Sequence, residues 1–274
     1  MKGRLHADRL NLRYGDRTIS SDLTVSIPHG SFTVIVGPNA CGKSTLLRAL
    51  SRLLVPSAGQ VILDGQNISA LPAKEVARRL GVLPQSSIAP HDIAVVDLVA
   101  RGRYPHQSLF RQWSKSDEDA VAAAMAATGV ADLADRQIDE LSGGQRQRVW
   151  IAMVLAQETP ILLLDEPTTF LDIAHQIELL DLLADLNSQG RTVVAVLHDL
   201  NQACRYATHL IAMKDGAIAA RGSPGDIVTQ HLVESVFGIS SMIIADPVTH
   251  TPLIVPMRRM AQTATHDGKE RTRS

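Results

Sequence analysis

The chain has 274 residues, 45% of them hydrophobic, which suffices for one large α/β domain or two small ones and excludes disorder over most of its length. Lys and Arg (27) nearly balance Asp and Glu (28), leaving a formal net charge of −1, so no electrostatic excess draws the chain to nucleic acid. Two cysteines are too few for a disulfide framework, and no apolar run approaches the length that spans a bilayer, so a reducing, cytoplasmic setting is expected, with membrane contact made only through partners.

Residues 5–13 and 23–27 partly alternate apolar and polar side chains, with Gly15 and Asp16 between them and Pro28-His29-Gly30 after the second, which predicts antiparallel strands. Tyr14 stands at the end of the first, where its ring can stack on a purine.

Phe32–Val36 is a β-branched apolar run, as expected of a buried strand. It feeds into Gly37-Pro38-Asn39-Ala40-Cys41-Gly42-Lys43-Ser44-Thr45, a phosphate-binding loop of the form GxxxxGK[ST]. Leu46, Leu47, Leu50, Leu53 and Leu54 then recur at helical steps before Pro56 and Gly59. In this context backbone N–H groups and a helix N-terminus surround phosphate oxygens, Lys43 adds a mobile ammonium, and the Ser44 hydroxyl can ligate Mg²⁺. The expected ligand is a nucleoside triphosphate with magnesium. Two positions carry further expectations. A glycine in place of Ala40 would reach positive φ at little cost, so Ala40 is expected to make the loop slightly stiffer or strained without loss of binding. Cys41, beside a helix N-terminus, should be shifted towards thiolate wherever solvent reaches it.

Residues 61–63 with Asp64-Gly65 predict a strand and turn, and residues 73–80 a short basic helix stopped by Gly81. Val82-Leu83-Pro84 then leads to Gln85, read either as a solvated loop residue or as an amide reaching Mg²⁺ or an attacking water. From residue 93 to about 140 the texture is helical. Ser116 with Asp119 predicts a capping box, and Gly129 a helix stop. Arg101, Arg103 and Arg111 read as a solvated basic surface, or more sharply as a docking surface for another protein.

Leu141-Ser142-Gly143-Gly144-Gln145 opens the next helix and makes a second anion site, since N–H groups, helix dipole and hydroxyl converge there. Ile161-Leu162-Leu163-Leu164 is an apolar strand ending in Asp165-Glu166-Pro167. Residues leaving the carboxyl end of a parallel strand face the ligand crevice, so Asp165 is expected to hold Mg²⁺ indirectly and Glu166 to act as general base. A helix over 172–187 and a strand over 192–197 deliver His198 to the same edge, facing the γ-phosphate or the attacking water. Residues 210–220 predict a β-hairpin through Asp215-Gly216, a small appendage runs to about residue 255, and residues 258–274 are polar and expected to fray.

With the phosphate loop, Gln85, LSGGQ, Asp165-Glu166 and His198 in this order, the chain resembles the ATP-binding subunit of ABC transporters over roughly residues 5–255. Residues 99–106 (VARGRYPH) and 197–203 (LHDLNQA) look like the ATPases of iron-siderophore importers, and residues 146–158 and 242–244 resemble their ferric enterobactin branch. The resemblance implies an α/β fold, a P-loop NTPase core of ABC type with an antiparallel β subdomain and a helical insert at about 92–140 within a domain spanning 1–257. It also implies two copies sandwiching two ATP molecules between the phosphate loop of one and the LSGGQ of the other. Two transmembrane permease subunits would bind at the insert and the neighbourhood of Gln85, on the cytoplasmic face of the membrane, and a siderophore-binding protein would act indirectly. Haem, cobalamin or another chelate is an alternative cargo. A soluble ABC ATPase of DNA repair would need a long coiled-coil insertion and one of translation usually has two cassettes, neither of which this sequence has, and a P-loop nucleotide kinase leaves LSGGQ and His198 unexplained.

Overall fold

The computed structural model describes residues 4–85, 89–107 and 113–257. Its centre is a six-stranded sheet in the order β10-β9-β3-β8-β7-β6, built from β3 (Phe32–Val36), β6 (Leu80–Leu83), β7 (Ile161–Asp165), β8 (Thr192–Val196), β9 (His209–Lys214) and β10 (Ala217–Gly222). All neighbouring pairs are parallel except β9 with the edge strand β10. Strands β3, β7 and β8 are buried at every residue, which explains their unbroken apolar runs: a parallel sheet covered on both faces has no polar side to alternate with. Val34 packs on one face with Trp150, Leu162 and Leu180, while Ile35 points to the other with Leu46, Leu50 and Leu163.

The second face is closed by α1 (Lys43–Leu50) and by an antiparallel sheet, β2-β1-β4-β5, formed from β1 (Leu5–Tyr14), β2 (Arg17–Ile27), β4 (Ala58–Leu63) and β5 (Gln66–Asn67). Leu46, Leu47 and Leu50 are fully buried there, each contributing about 1.5–3 kcal/mol of apolar burial. The helix is shorter than its leucine spacing suggests. It stops at Leu50, Ser51 N–H caps it by bonding Leu47 O, and Leu53 beyond it is exposed.

The first face carries α5 (Gly143–Ala156) and α6 (Ile173–Ser188), with α3 (Val95–Ala100) and α4 (Lys115–Ala127) packed on α5. Both α3 and α4 lie between β6 and β7 in sequence, and α2 (Ala73–Arg79) precedes β6. Gly81 does not stop α2: it lies inside β6, where an added Cβ would come within 2.8 Å of Thr159 Oγ1. The capping box of α4 is formed by Ser114 and Asp117, two residues earlier than Ser116 and Asp119, while Gly129 takes positive φ just past the helix as expected.

Arg103 overturns the reading of a solvated basic surface. Its guanidinium is 4% exposed, donates to Asp117 Oδ1 at 2.8 Å, and bonds both Ala156 O and Glu158 Oε2 at 2.7 Å. It thereby joins α4 to the end of α5. Arg101 is exposed, and Arg111 lies outside the described residues. The chain continues through α7 (Leu200–Tyr206), α8 (Pro224–Ile227) and α9 (Gln230–Phe237) to a hairpin of β11 (Ser241–Ala245) and β12 (Pro252–Pro256) that rests on α7. Residues 258–274 lie outside the described residues. Among the described residues, no helix is long and apolar enough to cross a membrane.

Candidate functional site

Because β3, β6, β7 and β8 are parallel neighbours, their carboxyl ends meet at one edge. The phosphate loop leaves β3, Gln85 follows β6, Asp165 ends β7 and His198 follows β8. Ligands of open α/β sheets bind at this edge. A cavity of about 520 Å³ opens there, lined by Tyr14, Asn39, Ala40, Gly42, Lys43, Ser44, Thr45, Gln85, Glu166 and His198. Each of these residues is singled out by sequence.

The loop depends on its glycines at two points. Gly37 has φ of 153°, and a Cβ there would stand 2.3 Å from Met213 O and 2.7 Å from Cys41 Sγ. Gly42, with φ of 105°, turns the chain into α1. Ala40 takes φ of 61°, so the expected strain is present as a left-handed non-glycine backbone. Lys43 Nζ donates to the carbonyls of Gly37 and Pro38, both at 2.9 Å, holding the ammonium across the loop where it can transfer to phosphate oxygens.

Cys41 departs from expectation. It is 4% exposed, and burial pushes its thiol up despite the opposing charge of Lys43. Desolvation outweighs the helix N-terminus, so the side chain is packing rather than nucleophile. Gly37, Pro38 and Cys41 support the loop from behind instead of lining the cavity. The Cys204 thiol, also buried, is pushed up to about 12.

Ser44 Oγ donates to Asp165 Oδ1 at 2.8 Å, joining loop to strand end. The other Asp165 oxygen is buried and carries no hydrogen bond. Burial raises this carboxyl above the usual range, partly opposed by the Ser44 bond and reinforced by the charge of Glu166. The next residue, Glu166, has φ of 54°, a conformation that turns its carboxylate from the strand towards the cavity. Its Oε1 stands 2.8 Å from His198 Nε2. Tyr14 is 43% exposed at the cavity mouth, and its hydroxyl accepts from Arg48 at 3.3 Å.

Sequence reasoning missed Arg17 and Ile19, which line the same cavity. Arg17 pairs with Tyr14 across the β1–β2 turn, so the turn signal at Gly15-Asp16 holds the only clue. Ser142, Gly143, Gly144 and Gln145 do not line this cavity. Ser142 caps α5, its hydroxyl accepting from Gln145 N–H at 3.2 Å while Gln145 Oε1 accepts from Ser142 N–H at 3.0 Å. The two phosphate sites expected from sequence therefore lie apart within one chain.

The model of the ABC transporter family matches residues 20–169. The chain is 61% identical to the ferric enterobactin transport ATP-binding protein FepC of Escherichia coli (strain K12), over 94% of this chain and 96% of that protein. It is 54% identical to the siderophore transport system ATP-binding protein YusV of Bacillus subtilis (strain 168), over 93% of each. Among solved structures, an inward-facing metal-chelate type ABC transporter gives a TM-score of 0.78 at 29% identity, covering 94% of this chain and 98% of that one. The dimeric bacterial ABC transporter cassette MJ0796 gives 0.72 at 27% identity, covering 80% and 98%.

Proposed function

The chain belongs to the ABC transporter family as an ATP-binding subunit, and from that premise we propose that it hydrolyses ATP to power import of an iron-siderophore complex of the ferric enterobactin kind. The observation that carries the ATPase reading is the convergence of the phosphate loop, Asp165, Glu166 and His198 on one cavity edge. The cargo reading is supported by the siderophore-transport names of its relatives.

In this reading Tyr14 stacks on adenine, while the loop from Gly37 to Thr45 and the N-terminus of α1 cradle the phosphates. Lys43 moves from the Gly37 and Pro38 carbonyls to phosphate oxygens. Glu166 takes the proton of the attacking water, and His198 holds Glu166 towards the γ-phosphate. Gln85, exposed at the cavity wall, orients that water.

The residues also fit Mg²⁺. The hydroxyl of Ser44 and the carboxylate of Asp165 are hard oxygen donors, and the second Asp165 oxygen is buried and unbonded. Among the described residues no group of three His, Cys, Asp or Glu forms a metal cage, which suits an ion held largely by substrate phosphates and water. Held by Ser44 and Asp165, Mg²⁺ would supply neutralisation of phosphate charge.

The separation of Ser142-Gly143-Gly144-Gln145 from the cavity supports a site completed by a second copy, whose LSGGQ covers the nucleotide. We assign residues 1–257 to the ATP-binding domain, with the helical insert at about 92–140 meeting two permease subunits at the cytoplasmic face of the membrane. A siderophore-binding protein outside acts indirectly. Co-purification of tagged chain with its permease in detergent, followed by Mg-ATP turnover with a panel of chelates and binding proteins, tests the reading. Turnover stimulated by a ferric siderophore, and not by haem or cobalamin, is expected; stimulation by cobalamin alone would reassign the cargo.

A further inference from the structure

The segment carrying Glu166 and the segment carrying His198 approach each other twice. At the front, His198 Nε2 meets Glu166 Oε1 at 2.8 Å. At the back, Gln202 Nε2 donates to Gln176 Oε1 at 3.1 Å, and Gln176 Nε2 donates to Leu171 O at 2.9 Å. The two carboxamides thus form a chain running from α7, which begins just after His198, through α6 to the end of the turn that begins at Glu166.

Neither segment holds its own shape strongly. Between β7 and α6 the backbone is irregular, with Glu166 and Phe170 both in the left-handed region, held by turn bonds and by Gln147 of α5 donating to Pro167 O at 3.1 Å. Helix α7 has seven residues, too few to be stable alone, so its placement rests on burial of Ala203 and Cys204 in the core together with side-chain ties. On one side Asn201 pairs with the Ile254 backbone, accepting at 2.8 Å and donating at 3.2 Å, and Arg205 bonds Asp246 at 2.8 Å. On the other side two ties reach α6: Gln202 to Gln176 at the end nearer His198, and the Tyr206 hydroxyl, donating to Asp181 Oδ1 at 2.7 Å, at the far end of α7. Both glutamines are half-buried, where water competes less for their bonds. Neither lines the cavity.

We propose that Gln176 and Gln202 are positioning residues for ATP hydrolysis, fixing the distance between the Glu166 turn and the start of α7 so that Glu166 and His198 meet in reactive register. The proposal rests on the reading of Glu166 as base and His198 as its partner. Loss of the bridge then lowers turnover while leaving the phosphate loop intact.

The test uses the purified chain and Mg-ATP. Gln176→Leu removes both bonds, whereas Gln202→Met keeps the side-chain length, adds no charge and removes only the donor to Gln176. Each is expected to lower kcat about five- to twentyfold with KM within about twofold of wild type, because the groups act on geometry of reaction rather than on binding. The double variant should lose no more than about twofold beyond Gln176→Leu, since both changes break one chain of bonds. In a His198→Ala background Gln176→Leu should cost less than about twofold. A wild-type kcat in Gln176→Leu overturns the proposal, as does an equal loss with and without His198, which marks a general structural defect. Glu166→Gln and His198→Ala run alongside: normal turnover in those two removes the catalytic reading and this proposal with it, whereas their inactivity beside unimpaired glutamine variants removes the positioning role alone.

Discussion

Nε2 of His198 and Oε1 of Glu166 stand 2.8 Å apart at the ends of the adjacent parallel strands β8 and β7. The pairing directs the Glu166 carboxylate into the cavity and away from Asp165, whose own oxygen is taken by Ser44. The two adjacent acids thereby face different partners, His198 and Ser44. Glu166→Gln keeps the shape and cannot take a proton, so it should retain ATP binding and lose hydrolysis by roughly 10²–10⁴. Equilibrium nucleotide binding and single-turnover hydrolysis measure the two separately. Turnover within tenfold of wild type would remove Glu166 as the base.

Ala40 pays for a left-handed backbone at φ of 61°. A non-glycine residue there costs roughly 1–2 kcal/mol, and glycine gives back about 0.5–1 kcal/mol through its freer unfolded chain. Ala40→Gly should therefore leave stability unchanged or raise it by about 1 kcal/mol in urea denaturation, with KM for ATP within about twofold. A marked loss of stability would show that the methyl group packs usefully in the loop.

Asp165 is a buried acid held above its ordinary pKa, first by desolvation, with Ser44 opposing and Glu166 adding to the rise. The folded carboxyl titrates above the unfolded one, so ionisation destabilises the fold as pH climbs through that window, and the cost persists above it. Asp165→Asn removes the charge. At neutral pH and without Mg²⁺ the variant should melt about 2–4 °C higher, the shift that roughly 1 kcal/mol produces in a chain of this size, while hydrolysis is lost. The gain should vanish in acid. A lower melting temperature at neutral pH would contradict the assignment.

Arg103 makes the opposite case, a buried charge whose partners compensate it. Arg103→Met leaves Asp117 buried without its cation and should cost about 3–5 kcal/mol. Replacing both, as Arg103→Met with Asp117→Asn, should cost less. The Asp117 carboxyl is held below its usual range by the Ser114 hydroxyl first and then by Arg103, against desolvation. That contribution is present above the unfolded carboxylate range and lost as pH falls through the folded value, so wild type and variant should converge in acid. Denaturation at neutral and acid pH reads both. Equal losses at both values would mean that the guanidinium acts through packing alone.

Local signals made most of the site legible. The run Phe32–Val36, the glycine loop and Leu46 lie within one stretch, and their chemistry needs no distant partner. The acids after Leu164 and the histidine after Leu197 followed from strand ends in a parallel sheet. What escaped was set by distant contacts. Arg103 sits among basic residues and looks solvated until Asp117 and Glu158 are folded against it. Cys41 reads as a reactive thiol because helix position is visible in sequence, whereas its burial beside Gly37 and under the antiparallel sheet is not. Ser114-Asp117 and Ser116-Asp119 share the same spacing, and only the helix start chooses between them. Gln176 offers no pattern and Gln202 enters only within the 197–203 stretch, since each carboxamide gains its contact from the other helix.

We propose that hydrolysis at the Glu166 site drives uptake of an iron chelate. The most direct test is uptake of radioiron-labelled ferric enterobactin by cells lacking this chain, complemented with wild type or Glu166→Gln at equal expression. Saturable uptake is expected with wild type and background uptake with the variant. Uptake by the Glu166→Gln cells at the wild-type rate would contradict the proposal.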